Sequence, residues 1–296
     1  MPTDVLSTRQ VAQLLGVGEA TVKRWADKGE IDCFRTPGGH RKFRLRDVTA
    51  FVQMRRYQAA GPLPADLPES AQGPAAIAQL EKVAMAGDID AFVAQLAALR
   101  LRGPTLDELF DDVVSPALSS IGARWAKGEI SIAEEHVASQ TIIDAIARAQ
   151  PLAEPPGEPV RPDRGVAVIA AVAGDQHDIG ARMAGCLLRA RGFEVLAPLA
   201  QTPARDLAEL MQRSRAAFTV ITCTVPGDAA AVAEQVELCA SVARHAGGRV
   251  VVGGAGMRKV KLPPEVKLVS NMRELVAESE TAGRKRSAPR TAAARV

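Results

Sequence analysis

Apolar residues near the start of the chain recur at the three-and-four spacing of short helices. Val11, Leu14 and Leu15 share one face of a first predicted helix, and Ser7 is placed to cap it. A second helix is predicted over Glu19–Lys28, after a glycine-containing turn. Two short helices joined in this way indicate a helix-turn-helix.

The pattern then changes from helical to extended. Ile31–Thr36 and Lys42–Arg44 predict two short strands, and Pro37–Arg41 predicts the tight turn between them. A further helix is expected over Asp47–Met54. Trp25, on the inner face of the second helix, is predicted to be core. The first segment is therefore expected to be a winged helix-turn-helix.

The middle of the chain has helical periodicity almost throughout. Four helices are predicted near 75–86, 88–101, 105–124 and 131–149, with Asp88, Thr105 and Ser131 as caps. Four helices with short connections favour a four-helix bundle.

The last segment alternates short apolar runs with helical patterns. Four strands are predicted, at Val166–Ala173, Val195–Ala200, Phe218–Cys223 and Arg249–Gly253. Helices are predicted between them, near Ala181–Arg191, Arg205–Arg213 and Asp228–His245. This order predicts an α/β, doubly wound, flavodoxin-like sheet.

Two proline-rich stretches divide the chain, because each proline removes an N–H donor and disfavours helix before it. The predicted organisation is multidomain: a winged helix at 1–58, a linker at 59–74, a helical bundle at 75–150, a linker at 151–164, an α/β domain at 165–280, and a basic disordered tail at 281–296.

Composition adds little beyond the distribution of charge. The net charge of +3 is too small to indicate a partner, but positive charge is concentrated between Lys23 and Arg46 and after Gly283. The four cysteines lack metal-site spacing, and Cys186, Cys223 and Cys239 lie in apolar patterns typical of buried thiols. No apolar stretch of about 18 residues occurs, which predicts a cytoplasmic protein without membrane contact.

The basic surface of the first segment predicts binding to double-stranded DNA. The candidate residues are Thr21, Lys23 and Arg24 on the second helix, for the major groove, and Arg35, His40, Arg41, Lys42 and Arg44 on the wing, for phosphates or the minor groove. The run from Arg35 to Phe43 resembles the wing of the MerR superfamily. A winged helix that binds another protein is the alternative.

The sharpest motif is Asp175-Gln176-His177-Asp178-Ile179-Gly180, directly after the first strand of the α/β segment. Ligands of open parallel sheets bind beyond the carboxyl ends of the strands. A histidine in this loop can offer one ring nitrogen to a metal while the other donates to Asp175. Gly180 lets a bulky ligand approach the backbone.

The motif resembles the Asp-x-His-x-x-Gly signature of cobalamin-binding domains. The resemblance implies that His177 is the lower ligand of cobalt and that the displaced nucleotide tail lies in a slot beside the sheet. Gly253 and Gly254 match the family's Gly-Gly. Thr222 and Thr224 are a loose match to its Ser-x-Leu, in which the Leu has no counterpart here.

The bundle segment carries Trp125, then nine residues, then Glu135-His136. This resembles the signature of the CarH-type adenosylcobalamin photoreceptors, whose bundle covers the upper face of the corrin. The resemblance implies that Trp125 packs against the upper axial group and that Glu135 and His136 contact the adenosyl moiety. Light sensors of this family place a second cobalt-binding His directly after the Trp, where this chain has Ala126.

Together these features predict a cobalamin-dependent, DNA-binding transcriptional regulator that is not an enzyme and acts as a homo-oligomer. Adenosylcobalamin is the favoured form, and a light response is an open possibility. Three alternatives remain open: a corrinoid methyl carrier of a methyltransferase system, an antirepressor that binds another regulator, and a regulator with a degenerate corrinoid site.

Overall fold

The computed structural model describes residues 5–15, 17–44, 47, 48, 51, 73–153 and 160–282. Most of the helix predicted from Asp47, the greater part of the first linker, residues 154–159 of the second linker and the basic tail after 282 lie outside these residues.

The first segment forms the predicted winged helix. Its elements are β1 (Val5–Ser7), α1 (Thr8–Leu15), α2 (Glu19–Asp27), β2 (Phe34–Arg35) and β3 (Arg41–Arg44). The strands pair antiparallel in the order β1-β3-β2. Strand β1 was not predicted, because three residues are too few to reveal an alternation.

Local contacts explain why the first segment folds in this way. The N–H of Gln10 donates to Ser7 Oγ at 3.2 Å, and the N–H of Ser7 donates to Gln10 Oε1 at 2.8 Å, which is the expected cap of α1. Trp25 is buried and lies 4.8 Å from Phe51 between ring centroids. Trp25 is therefore a core residue, as the pattern predicted.

The middle segment forms the predicted bundle. Its helices are α3 (Pro74–Met85), α4 (Ile89–Leu101), α5 (Leu106–Leu109), α6 (Ser115–Ala126) and α7 (Ile132–Arg148), followed by the short helix α8 (Gln150–Ala153). The third predicted helix is interrupted: a π-helical turn at Phe110–Val114 joins α5 to α6. Helix α8 covers the first residues of the predicted second linker.

The last segment is a parallel sheet with helices on both faces. The elements are β4 (Val166–Ala171), α9 (Ile179–Arg189), β5 (Glu194–Leu199), α10 (Ala204–Ser214), β6 (Phe218–Thr222), α11 (Ala229–Ala246), β7 (Arg249–Gly253), β8 (Lys267–Val269) and α12 (Met272–Glu280). The strand order β5-β4-β6-β7-β8 is flavodoxin-like, as predicted. Strand β8 and helix α12 were not predicted.

The bundle and the α/β domain share one hydrophobic core. Met183, Cys186 and Leu187 of α9 are buried in the same cluster as the bundle helices. Polar contacts join the two parts as well. The carboxylate of Asp111, in the π-helical turn, accepts hydrogen bonds from the N–H groups of Met272 at 2.8 Å and Arg273 at 3.1 Å. The bundle is therefore held on the face of the sheet that carries α9 and α12.

Candidate functional site

The loop between β4 and α9 orients the candidate metal ligand. Nδ1 of His177 lies 2.7 Å from Asp175 Oδ1, and the N–H of His177 donates to the same oxygen at 3.0 Å. Because the carboxylate accepts a hydrogen bond from Nδ1–H, Nε2 of the neutral imidazole keeps a free lone pair. The imidazole is 61% exposed, so Nε2 is available to a ligand outside the protein.

The carboxylate itself is held from the neighbouring strand. Asp175 Oδ2 accepts a hydrogen bond from the N–H of Thr224 at 2.5 Å and lies 3.4 Å from the N–H of Val225. Burial alone would raise the pKa of Asp175, but the hydrogen bonds from Thr224 and His177 outweigh it, and the pKa is lowered. Asp175 is thus a buried, charged carboxylate. The part that Thr224 and Val225 play through their N–H groups was not predicted.

Thr222 and Gly253 lie side by side at the carboxyl ends of β6 and β7. Thr222 shares a strand face with Val220, which packs in the core beneath α9 and α12. Its hydroxyl is buried and has no hydrogen-bond partner among the described residues. An orphaned buried hydroxyl costs free energy unless a ligand satisfies it.

Gly254 is required by the backbone conformation, in addition to any contact with a ligand. Its φ is +99°, and a Cβ there would lie 2.3 Å from the carbonyl oxygen of Cys223. Only glycine lets the loop after β7 pass so close to the loop after β6. At Gly180, in contrast, an added Cβ would meet nothing within 4 Å, so the start of α9 borders open space.

These features fit a corrinoid. The imidazole offers a nitrogen donor, the hydroxyl of Thr222 has no partner in the described part of the chain, and the backbone at Gly180 is open to close approach. The cluster at the sheet edge therefore unites Asp175, His177, Gly180 and Thr222, whereas Thr224 enters it through its backbone.

The predicted residues of the bundle lie at one exposed corner. Trp125, at the end of α6, is 48% exposed, and Ile132 and Val137 of α7 are exposed as well. Sequence reasoning did not single out Ile132 and Val137, although large apolar residues in such exposed positions are a signal of contact with a ligand or partner. The buried residues of α7 begin at Ala138, so the first six residues of the helix lie outside the core.

The carboxylate of Glu135 and the imidazole of His136 differ in how firmly they are held. Glu135 accepts a hydrogen bond from Ser139 at 2.6 Å, and its other oxygen lies 3.7 Å from His136 Nε2. The His136 side chain is 71% exposed. The imidazole of His136 is therefore free to turn toward a ligand, whereas Glu135 must first release Ser139.

Gln235 is a buried polar residue that the sequence did not bring forward. Its Oε1 accepts a hydrogen bond from the N–H of Ala173, at the end of β4, at 3.1 Å. Its Nε2 donates to the carbonyl of Thr202, after β5, at 3.4 Å. Gln235 therefore ties α11 to the His177 loop and to the loop after β5.

The candidate DNA-binding residues lie on α2 and on the wing. Lys23, Arg24, Arg35, His40 and Arg44 are exposed, and Thr21, Arg41 and Lys42 are half-buried. Arg44 lies over the ring of the exposed Phe34, 5.8 Å from its centroid.

Three family models match the chain. A helix-turn-helix domain matches residues 5–56, one B12 binding domain matches 76–150, and a second B12 binding domain matches 165–261. In the described part of the chain, no helix has the length and apolar character needed to cross a membrane.

Two curated relatives are transcriptional repressors. The HTH-type transcriptional repressor CarH of Myxococcus xanthus is 28% identical over 276 residues, which cover 83% of this chain and 88% of that protein. The transcriptional repressor DcmR of Methylorubrum extorquens is 37% identical over 73 residues, or 24% of this chain and 28% of that protein.

Among solved structures, the monomethylamine corrinoid protein of Methanosarcina barkeri superposes with a TM-score of 0.55 at 14% identity, over 69% of this chain and 96% of that one. This likeness concerns the fold alone. Together the matches confirm the expected fold class and the expected resemblance to cobalamin-binding transcriptional regulators.

Proposed function

We propose that this chain, built as a cobalamin-binding transcriptional regulator, is a MerR-type DNA-binding protein that responds to adenosylcobalamin. The observation that carries the proposal is the union in one chain of a winged helix with a sheet-edge site that fits a corrinoid. A ligand bound at the second part can then change the DNA affinity of the first.

His177 is the proposed lower ligand. Its Nε2 would bind cobalt, and Asp175 would fix the tautomer and raise the basicity of the ring. Thr224 and Val225 keep that carboxylate in place through their N–H groups. Thr224 and Val225 thus orient Asp175, and Asp175 in turn orients His177.

The nucleotide tail is proposed to enter beside Thr222. The orphaned hydroxyl would gain a hydrogen bond from the tail, and Gly180 and Gly253 offer no side chain to obstruct it. Gly254 keeps the two loops close enough for this slot to exist.

The upper face is proposed to be covered by the exposed corner of the bundle. Trp125, Ile132 and Val137 would lose their exposure to water when the adenosyl group packs against them. Glu135 and His136 would supply polar contacts to the same group. The bound cofactor would contribute a cobalt–carbon bond that light can break, which makes a light response available to this protein.

A homo-oligomer is proposed as the DNA-binding form. A single winged helix contacts few base pairs, and a second copy supplies the specificity that one copy lacks. The cofactor can shift assembly only through a difference in its affinity for two conformations. We infer that the protein is not itself an enzyme.

The second candidate function is a corrinoid methyl carrier, favoured by the likeness of the fold to the monomethylamine corrinoid protein. A carrier has no use for a winged helix, which is why we prefer the regulator. An antirepressor, which would use the winged helix to bind another regulator, differs in predicting no retention of DNA.

The test uses the full chain purified as apoprotein and reconstituted with adenosylcobalamin in the dark. Mobility shift on the DNA upstream of its own gene is compared for apo, dark and illuminated samples, with methylcobalamin as the control cofactor. We expect binding to differ between apo and dark adenosylcobalamin samples. Equal DNA binding in every sample would refute cobalamin control, and no DNA binding at all would favour the carrier or the antirepressor.

A further inference from the structure

A basic groove separates α1 and α2 from the wing. Its volume is about 410 Å³, and its lining includes five basic residues, Arg9, Lys23, His40, Arg41 and Lys42, against the single acid Glu19. The residues come from three different elements of the fold. Such convergence of positive charge on one concave surface favours an anion.

Arg41 differs from the other basic residues of the groove. Its guanidinium forms an ion pair with Asp27 at the end of α2, and its side chain is only 17% exposed. Since β3 carries Arg41 and α2 carries Asp27, this pair fixes the wing against the second helix. Arg9 and Lys23, in contrast, are exposed, and no ion pair within the described residues holds them away from a ligand.

We propose that this groove binds a backbone phosphate of double-stranded DNA, with Arg9 and Lys23 as the contacting residues and Arg41 as a positioning residue. The proposal rests on the proposed DNA-binding function and identifies one place on the winged helix where the DNA backbone is held. It adds Arg9, which the sequence pattern did not single out, and moves Lys23 from reading bases to holding the backbone.

The position of Arg9 supports a phosphate as the ligand. Arg9 lies in the first turn of α1, whose N–H groups have no intrahelical partners and carry partial positive charge. A guanidinium there can form two parallel hydrogen bonds to a phosphodiester. Lys23 lines the same groove from α2, so one phosphate can meet charge from both helices.

The experiment measures DNA affinity of the full chain by fluorescence anisotropy across a salt series. A labelled duplex of arbitrary sequence suffices, because phosphate contacts do not depend on the bases. Each phosphate contact contributes about −0.9 to the slope of log K against log salt. Because the two residues share one phosphate, Arg9→Ala and Lys23→Ala are each expected to reduce the magnitude of that slope by less than about 1, and the double variant by about 1 in total.

The matched control is Arg213→Ala, which removes the same charge from an exposed position on α10, where Arg213 is paired only within its helix. This variant should keep the wild-type slope. If Arg9→Ala behaves like Arg213→Ala, the groove does not hold a phosphate.

The role of Arg41 is tested with its partner. As a positioning residue, Arg41→Ala should lower affinity at every salt concentration without changing the slope, and Asp27→Asn should lower affinity in the same way. If Arg41 itself bound phosphate, Arg41→Ala would reduce the slope, and Asp27→Asn would strengthen binding.

The experiment distinguishes failure of the proposed DNA-binding function from failure of the groove proposal alone. Wild-type protein that does not bind DNA at any salt concentration overturns both the proposed function and the groove. Wild-type binding with a steep salt dependence that Arg9→Ala and Lys23→Ala leave unchanged overturns the groove alone.

Discussion

The backbone N–H of Thr224 donates a hydrogen bond to the buried carboxylate of Asp175, 49 residues earlier in the chain, at 2.5 Å. The same carboxylate holds the ring of His177. The loop after β6 thus determines the orientation of a side chain in the loop after β4. Any disturbance of one loop is expected to reach the imidazole in the other.

Replacement of the proposed ligand should change the spectrum of bound cobalamin. His177→Ala removes the nitrogen donor, so the absorption spectrum should move to that of cobalamin without a histidine ligand, and the affinity should fall. Asp175→Asn leaves the ring in place but weakens its orientation, which should lower affinity about 10- to 100-fold. Titration followed by absorption measures both effects.

The control for that pair is His245→Ala. This histidine lies at the end of α11, where its Nδ1 contacts the carbonyl of Ser241. Its removal should leave spectrum and affinity unchanged. A wild-type spectrum in His177→Ala would remove His177 as the lower ligand.

The hydroxyl of Thr222 should have opposite effects on the apoprotein and on cofactor binding. Thr222→Val removes an unsatisfied buried group, so the free energy of unfolding of the apoprotein should rise by about 1 kcal/mol. The same change deletes a hydrogen bond to the nucleotide tail, so cobalamin affinity should fall about fivefold. Denaturant unfolding and cofactor titration give the two values.

Thr219 provides the matched control on the same strand. Its hydroxyl is also buried without a partner among the described residues, but it lies on the opposite face of β6. Thr219→Val should stabilise the apoprotein and leave cobalamin affinity unchanged. If both variants leave affinity unchanged, the tail does not bind beside Thr222.

The residue after Trp125 should determine which group binds the upper face of cobalt after illumination. With Ala126 in that position, illuminated adenosylcobalamin protein should hold water, or at most His136, on its upper face. Ala126→His should introduce a second histidine ligand and give a stable bis-histidine spectrum after light. A bis-histidine spectrum in the wild type that persists in His136→Ala would contradict this account.

The cysteines should differ sharply in reactivity toward iodoacetamide. Burial raises the pKa of Cys239 to about 12, and burial together with the charge of Asp175 raises that of Cys223 to about 11. Because the thiolate is the nucleophile, a raised pKa lowers the reactive fraction near neutral pH. Mass spectrometry of native protein should find label on the half-exposed Cys33 first, and label on Cys223 or Cys239 only after unfolding.

The hydrogen bonds between Asp111 and α12 should contribute more to the free energy of unfolding than the ion pair between Asp112 and Arg273. Burial raises the pKa of Asp111, yet its carboxylate satisfies two N–H groups at the start of α12. Asp111→Ala leaves both without that partner and should lower the free energy of unfolding by about 1 to 3 kcal/mol. Asp112→Ala removes a partly exposed ion pair with Arg273 and should lower the free energy of unfolding by less than about 1 kcal/mol.

The sequence predicted the parts of the site that are local in the chain. The pair Asp175–His177 could be predicted because two residues of separation in a loop bring a carboxylate within reach of an imidazole. Thr224 and Val225 could not be predicted to hold that carboxylate, because every residue except proline has an N–H and only the fold selects which one is used. For the same reason the sequence did not distinguish Arg41, which is paired with Asp27, from exposed basic residues such as Lys23.

The fold was predictable where elements were long and periodic. The four bundle helices and four of the five strands of the parallel sheet were expected. Strand β8 has only three residues, too few to show an alternating pattern, and its extended conformation is stabilised by pairing with β7. The π-helical turn before Ser115 leaves the apolar spacing helical on both sides, so it has no signature in the pattern.

The single core that unites the bundle with α9 limits which parts of this protein can be exchanged with other proteins during evolution. Because Met183, Cys186 and Leu187 complete the interior of the bundle, a cut between residues 150 and 165 would leave apolar surface bare on both fragments. The two halves can be exchanged between proteins only as a pair. Among the described residues, the winged helix adds only the partly buried Leu6 to this core. Recombination can therefore join the same bundle and α/β pair to different DNA-binding domains more readily than it can separate the pair.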